Sequence, residues 1–286
     1  MDKRLNIILL FVFIPTITLF AQTNSMVGEI VAKDYYLSEY SNNKGVIEGL
    51  KSGITKNTIF FEPAPQPALQ YLKNRPNVPD LISWKPVVAK VAKSNEWGFT
   101  TGPITSQTIG LKKRFGEYLN IWERDKKGRW KIALRAEIEH PDPSLEQGIA
   151  FVNPPDQKFL KQRSEARLNQ REDIIQSTDQ LMGTVLRAKL EVGYEEFLAP
   201  DARLLFSGYS PVLGKENIQK FFKTEKIQLS TKPTDVDRAY SGELAYSYGD
   251  AKVIKDNRVV NYYYIRIWEV NDAYKWHVIV EMLFEK

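Results

Sequence analysis

"YLNIWERDKKGRWKIAL" occupies residues 118–134, and "YIRIWEVNDAYKWHVIV" occupies residues 264–280. Ile121, Trp122 and Glu123 return as Ile267, Trp268 and Glu269, 146 residues later (267 − 121). A second Trp follows each Glu at the same distance, Trp130 in one stretch and Trp276 in the other. Each stretch is a strand, a polar turn such as "DKKGR" and a second strand, so each reads as a β-hairpin. The same hairpin is therefore written twice.

The repeat runs outward from the hairpins. Upstream, "SNEWGFTTGPI" (residues 94–104) answers to "SGELAYSYGDA" (residues 241–251), with Glu96, Trp97, Phe99 and Gly102 matching Glu243, Leu244, Tyr246 and Gly249. Further back, two helical stretches each carry one Asp: "EIVAKDYYLSEYS" with Asp34 and "IIQSTDQLMGTVL" with Asp179. A period of about 145 residues exceeds the 20–50 residues of solenoid repeats, so the duplicated unit is a whole domain. Each unit begins with an amphipathic helix; in the second, Ile174, Ile175, Leu181, Val185 and Leu186 are expected on one stripe. A short helix, a short strand (residues 58–61 and 204–207), a Pro-rich turn and a small helix (residues 68–73 and 215–222) follow. Three long strands complete the unit. The expected domains are residues 26–140 and 163–286, joined by an extended linker, residues 141–162, with Pro141, Pro143, Pro154 and Pro155.

The first residues differ from the rest. Lys3 and Arg4 precede an apolar run to Phe20, and Ala21 is a suitable cleavage residue, so residues 1–21 read as a signal peptide. Its apolar run contains Pro15 and is short for a spanning helix. The expected product is exported, periplasmic or secreted, with no membrane association after cleavage. With 43% hydrophobic and 26% charged residues, the remainder has the balance of a soluble globular protein. The absence of cysteine excludes thiol catalysis, thiolate metal sites and disulfide staples. A net charge of +5 is thin and scattered over 286 residues, which argues against nucleic acid as a partner.

Two helices, a short strand, a helix and a bent antiparallel sheet ending in "IWE…GRWKIAL" resemble the SnoaL-like branch of the nuclear-transport-factor-2-like superfamily. The resemblance covers about residues 26–140 and 163–286, and residues 81–141 are similar to exported bacterial proteins of that branch. It implies an α+β fold of two cone-shaped domains, each a curved antiparallel sheet wrapped around helices with a pocket between. Relatives include ketosteroid isomerase, scytalone dehydratase, polyketide cyclases and association domains, so the fold does not choose a function.

Members of that branch often carry an Asp five residues after the strand Trp; the matching positions here are Arg135 and Glu281. Arg cannot serve as a base at ordinary pH, so the first unit departs from that scheme. Strand alternation predicts that His277 shares a face with Glu281, as a proton-handling pair or as a surface pair. Asp179 is the third candidate catalytic residue. Tyr246, Tyr248, Asp34 and Arg135 are the candidate ligand-binding residues, although strand aromatics are more often core and a helix Asp more often pairs with a cation. Two His residues do not make a metal centre, and no phosphate loop or nucleophile elbow is present. No cofactor or metal is expected.

Both faces of the last strand are apolar, which predicts that the outer face is covered. The expectation is an intramolecular pseudo-dimer, the chain remaining a monomer. The function expected is binding of a small, mostly apolar ligand, with no reaction assigned. The alternatives are a cofactor-independent isomerase, dehydratase or cyclase using the second-domain acids, and a structural association module.

Overall fold

A computed structural model describes residues 25–62, 64–75, 80–143, 147–161 and 164–286. The stretch read as a signal peptide lies outside the described residues. Ser25 accepts a hydrogen bond from the Gly28 amide at 2.9 Å and so starts α1 (Met26–Lys44). Gly45, at φ 93°, ends it in a region that glycine enters without side-chain strain. Then come α2 (Val46–Gly53), β1 (Ile54–Phe61), β2 (Pro65–Pro67), α3 (Ala68–Asn74), β3 (Asp80–Trp84) and β4 (Val88–Val91). The long strands β5 (Trp97–Thr108), β6 (Arg114–Arg124) and β7 (Trp130–His140) precede a short β8 (Ala150–Val152). These strands form one sheet in the order β2-β1-β7-β6-β5-β4-β8, with β3 also on β5.

The second half repeats the plan. It comprises α4 (Glu165–Ala188), α5 (Leu190–Phe197), β9 (Leu198–Phe206), β10 (Val212–Leu213), α6 (Lys215–Glu225), β11 (Gln228–Arg238), β12 (Leu244–Lys255), β13 (Arg258–Val270) and β14 (Trp276–Glu285). Its separate sheet runs β10-β9-β14-β13-β12-β11. In both sheets the first strand joins the last long strand in parallel (β1 with β7, β9 with β14), and the long hairpins are antiparallel. The fold is α+β, two curved sheets with helices gathered on the inner face of each.

Three details depart from the sequence reading. Four strand positions, not three, follow the small helix, because the segment before the long hairpins is itself a strand: β11 in one half, β3 and β4 in the other. The edge strand bends at matching points. A Cβ on Gly102 would lie 2.2 Å from the Lys85 carbonyl oxygen and one on Gly249 2.1 Å from that of Lys232, so only glycine allows the close crossing. On α4 the inward stripe is Ile175, Asp179, Met182 and Leu186, while Ile174 and Leu181 are exposed; the spacing of four, three and four follows the helical period that Ile174 and Leu181 leave. Within the segment read as a linker, β8 pairs with β4, and Asn153 Oδ1 accepts from the Val27 amide at 2.9 Å.

Apolar residues collect in three cores. One lies inside each cone, and the third lies between the outer faces of the two sheets. The third contains Phe99, Leu119, Ile121 and Ala136 from one sheet and Tyr246, Ile265, Ile267 and Met282 from the other. Covered outer faces explain why β6 and β14 are apolar on both sides. Around this core the contacts are reciprocal. Glu243 Oε1 accepts from the Lys93 amide at 2.6 Å, and Glu96 Oε1 accepts from the Tyr240 amide at 2.5 Å. Ser94 and Ser241 exchange amide-to-hydroxyl bonds of 3.2 and 3.1 Å. A residue that contacts the mate of its own partner is the signature of two-fold packing, here realised within one chain.

Candidate functional site

Inside the second cone, α4 brings Asp179, α5 brings Tyr194, β13 brings Tyr264 and Arg266, and β14 brings Glu281. All five side chains are buried. Arg266 stands between the two acids. Its Nε donates to Glu281 Oε1 at 2.8 Å, its Nη2 lies 2.7 Å from the same oxygen, and its Nη1 donates to Asp179 Oδ1. The remaining carboxylate oxygens accept from tyrosines: Glu281 Oε2 from Tyr194 at 2.9 Å, Asp179 Oδ2 from Tyr264 at 2.7 Å. Burial works against the charged guanidinium, but Glu281 and Asp179 outweigh it and hold the Arg266 pKa above its ordinary value. Burial, then Glu281, raises the Tyr194 hydroxyl; burial, then Asp179, raises that of Tyr264. Every carboxylate oxygen of the two acids is thus engaged within the cluster.

The two acids singled out from sequence thus converge, and the cation between them did not appear in that reading. His277 does not join them. The register of β14 slips between Val278 and Val280 against both neighbours, leaving Ile279 as an extra residue. Trp276 and Val278 therefore pack inside the cone, Val280 and Met282 face the other sheet, and Glu281 returns inward. A bulge reverses the alternation that placed His277 beside Glu281; the His277 ring instead lies 3.3 Å from the Lys275 carbonyl oxygen. Tyr246 and Tyr248 sit in the core between the sheets, where Tyr246 stacks on Trp97 and Tyr248 meets Phe61 edge-on. They do not line a cone.

Aromatic rings close the second cone. Phe206 packs on Tyr209, Phe221, Phe222 and Tyr262, with centroids 5.4–6.2 Å apart. A cleft of about 480 Å³ lies beyond, lined by Phe206, Tyr209, Lys255 and Tyr262 among others, and neither acid reaches it.

The first cone is built on the same positions with different chemistry. Asp34 on α1 accepts from Trp84 Nε1 at 2.7 Å, Tyr118 OH at 2.7 Å and Asn120 Nδ2 at 3.1 Å. Burial raises its carboxyl, while Thr100, Tyr118, Trp84 and the Arg135 charge pull the other way. Asn120 stands where the second cone has Arg266, and Arg135 stands where it has Glu281. Moving the cation from one strand to the next changes its company. Arg135 Nη1 donates to Asn120 Oδ1 at 2.8 Å and Nε to Glu137 at 2.8 Å, and the guanidinium lies over the Trp84 ring at 4.5 Å.

Arg135 is 2% exposed, and its Nη2 has no hydrogen-bond partner among the described residues. It lines a chamber of about 20 Å³ together with the apolar Val46, Leu50, Phe60 and Ile82 and the polar Glu62, Tyr71, Arg75 and Glu137. That volume admits one polar heavy atom. Phe61, Glu62 and Glu137 also wall a larger cleft of about 350 Å³ that reaches the second sheet, lined by the apolar Ile104, Phe115, Ile138 and Phe284 and by the charged Arg114, Glu139 and Glu285. Glu62 keeps an exposed edge, yet burial and then the Glu137 charge raise its pKa. Among the described residues no group of three or more acidic or His side chains is arranged to hold a metal.

No family model matches the sequence, and no curated protein matches it. Solved structures do. An NTF2-like protein from Cytophaga hutchinsonii is 18% identical, with a TM-score of 0.35, over 40% of this chain and 97% of that one. A ketosteroid isomerase-like protein from Erwinia carotovora atroseptica is 12% identical, with a TM-score of 0.36, over 41% of this chain and 97% of that one. An epoxide hydrolase of the LEH-like kind from M. tuberculosis is 11% identical, with a TM-score of 0.32, over 42% of this chain and 81% of that one. No helix among the described residues is long and apolar enough to cross a membrane.

Proposed function

We propose that the chain binds a small, mostly apolar molecule carrying one oxygen acceptor, with that oxygen on Arg135 and the apolar body in the adjoining cleft. The carrying observation is Arg135, a buried cation with one nitrogen, Nη2, lacking a hydrogen-bond partner among the described residues, on the wall of a chamber sized for a single polar atom. A buried charged donor left unpaired is costly, so a ligand acceptor there is favoured well beyond its contact area. A neutral ketone, ester or phenol oxygen accepts from Arg135 without adding charge to a chamber already lined by Glu62, Glu137 and Arg75. The aromatic walls Phe61, Phe115 and Phe284 suit a ring.

A direct test compares 1-tetralone with tetralin by ligand-observed NMR. A hydrogen bond to a charged donor contributes about 1.5–3 kcal/mol, so the ketone is expected to bind roughly 10- to 100-fold tighter. Arg135→Met, close in length and uncharged, is expected to erase that preference. An equal preference in the variant would sink the proposal, as would loss in Tyr262→Ala instead, which would move the site to the mouth of the second cone.

Convergence of Asp179 and Glu281 supports a second reading, acid–base catalysis in the second cone. It requires turnover of an isomerisable or dehydratable substrate that Glu281→Gln abolishes while leaving tetralone binding intact. Binding without turnover is the better-supported reading because each oxygen of both acids is already engaged.

We also propose that the chain is a monomer, since the sheet faces that would pair two chains are consumed within one. Sedimentation equilibrium is expected to return the mass of a single chain at micromolar concentration. A stable two-chain species would overturn this.

A further inference from the structure

The two-fold relation between the halves assigns each contact a mate. Lys90 lies opposite Phe99 in the first sheet, and Asp237 lies opposite Tyr246 in the second. Since Phe99 and Tyr246 are equivalent, so are Lys90 and Asp237. Glu123 and Glu269 are equivalent too, paired with Trp97 and Leu244 respectively. At one corner of the interface Lys90 Nζ reaches both oxygens of Glu269, at 2.7 and 2.6 Å. The mate of that ion pair is Glu123 facing Asp237. Two carboxyl groups stand where the opposite corner holds an ammonium and a carboxylate.

We propose that Glu123 and Asp237 share a proton and so form a pH-sensitive latch between the two domains, the counterpart of the Lys90–Glu269 ion pair at the other corner. Two like charges at hydrogen-bonding distance cannot both ionise cheaply, and one proton turns the repulsion into a bond. The neighbours do not remove the need for it. Glu96 approaches from before β5, Asp235 and Arg238 lie on β11, Arg171 and Glu172 on α4, and Tyr246 on β12. Arg238 is the nearby cation; its Nη1 donates to the Ala239 carbonyl at 2.9 Å, and Arg171 and Glu172 also act on it.

Burial, then the Asp237 charge and hydrogen bond, push the Glu123 carboxyl up to about 8. Asp237 is raised as well, by burial first. The folded chain then binds the shared proton more tightly than the unfolded chain. Its contribution is complete below the ordinary Glu range and is lost as pH rises to about 8. Interdomain packing at this corner should loosen over that interval.

The experiment measures the urea midpoint of the full chain between pH 6 and 9, with the Glu123 carboxyl followed by carbon NMR. In the wild type the midpoint should fall across this range, with the carboxyl titrating near 8. Asp237→Lys, which repeats the arrangement of Lys90 and Glu269, and Glu123→Gln, which keeps a hydrogen bond without a titration, should both remove that part of the slope. His140 also titrates upward of its ordinary value but is unchanged in all three chains, so the difference between wild type and variants isolates the pair. Identical slopes in all three, or an ordinary Glu123 titration, would overturn the proposal.

Discussion

Arg266→Met is expected to lower the free energy of unfolding by about 3–5 kcal/mol, the cost of leaving buried charges without their partner. Two acids depend on this one guanidinium, and both lie where water does not reach. In the variant, the acids should take up protons to escape, so folding would bind protons that the unfolded chain does not. Stability of the variant should therefore rise as pH falls toward 4, opposite to the usual acid behaviour of ion-paired carboxylates. Adding Asp179→Asn and Glu281→Gln should recover most of the loss, because the cluster is then neutral while Tyr264 and Tyr194 keep acceptors. Urea unfolding followed by circular dichroism measures all three effects. A loss below about 1 kcal/mol in the single variant would mean that water reaches the cluster and solvates the stranded acids, as at a surface pair.

Much of the fold was legible because a repeated sequence pattern writes its own control. The pair Trp122 and Trp268, with Ile121 and Ile267 beside them, marked equivalent strands before any strand was assigned, and the covered outer face followed from β14 being apolar on both sides. The bulge at Ile279 was not legible. One extra residue in a strand leaves no mark in a sequence of alternating Val, Ile and Met, yet it turned His277 away from Glu281. Its counterpart, Ala133, lies between Ile132 and Leu134 where β7 slips against β6, and both sides of that slip are equally apolar.

The site was half visible. Asp34 and Asp179 each interrupt an apolar helix stripe, a strong sign of a buried, bonded carboxylate. Arg266 was overlooked, although Tyr264 and Trp268 flank it at alternate positions and so predict that it points inward with them. The cation–acid exchange is clear only when both strands are compared. Asn120 and Arg135 in one half replace Arg266 and Glu281 in the other, so the charge moved from β13 to the position of β7 rather than vanished. That shift leaves one guanidinium nitrogen of Arg135 without a bond, and the same shift cannot be read from either strand alone.

Trp268→Ala is expected to cost about 3–5 kcal/mol, the range for emptying a large buried aromatic. Trp268 is fully buried in the second cone, and its Nε1 donates to Ser247 Oγ at 2.7 Å. Its mate Trp122 does the same with Thr100 Oγ1 at 2.8 Å in the first cone. Trp122→Ala should therefore cost a similar amount. Trp268→Phe should cost less, roughly 1–3 kcal/mol, since it keeps most of the ring but leaves the hydroxyl unbonded. The two cones share the core between the sheets, so neither half can lose its packing without exposing the outer face of the other. Calorimetry of each single Ala variant should then show one transition moved to lower temperature, not a native half beside a melted one. Two resolved transitions in Trp268→Ala, with the upper at the wild-type temperature, would show that the shared core contributes too little to couple the halves. The repeated hairpin would in that case build two independent cones, and the reciprocal contacts of Ser94 with Ser241 would be incidental to their stability.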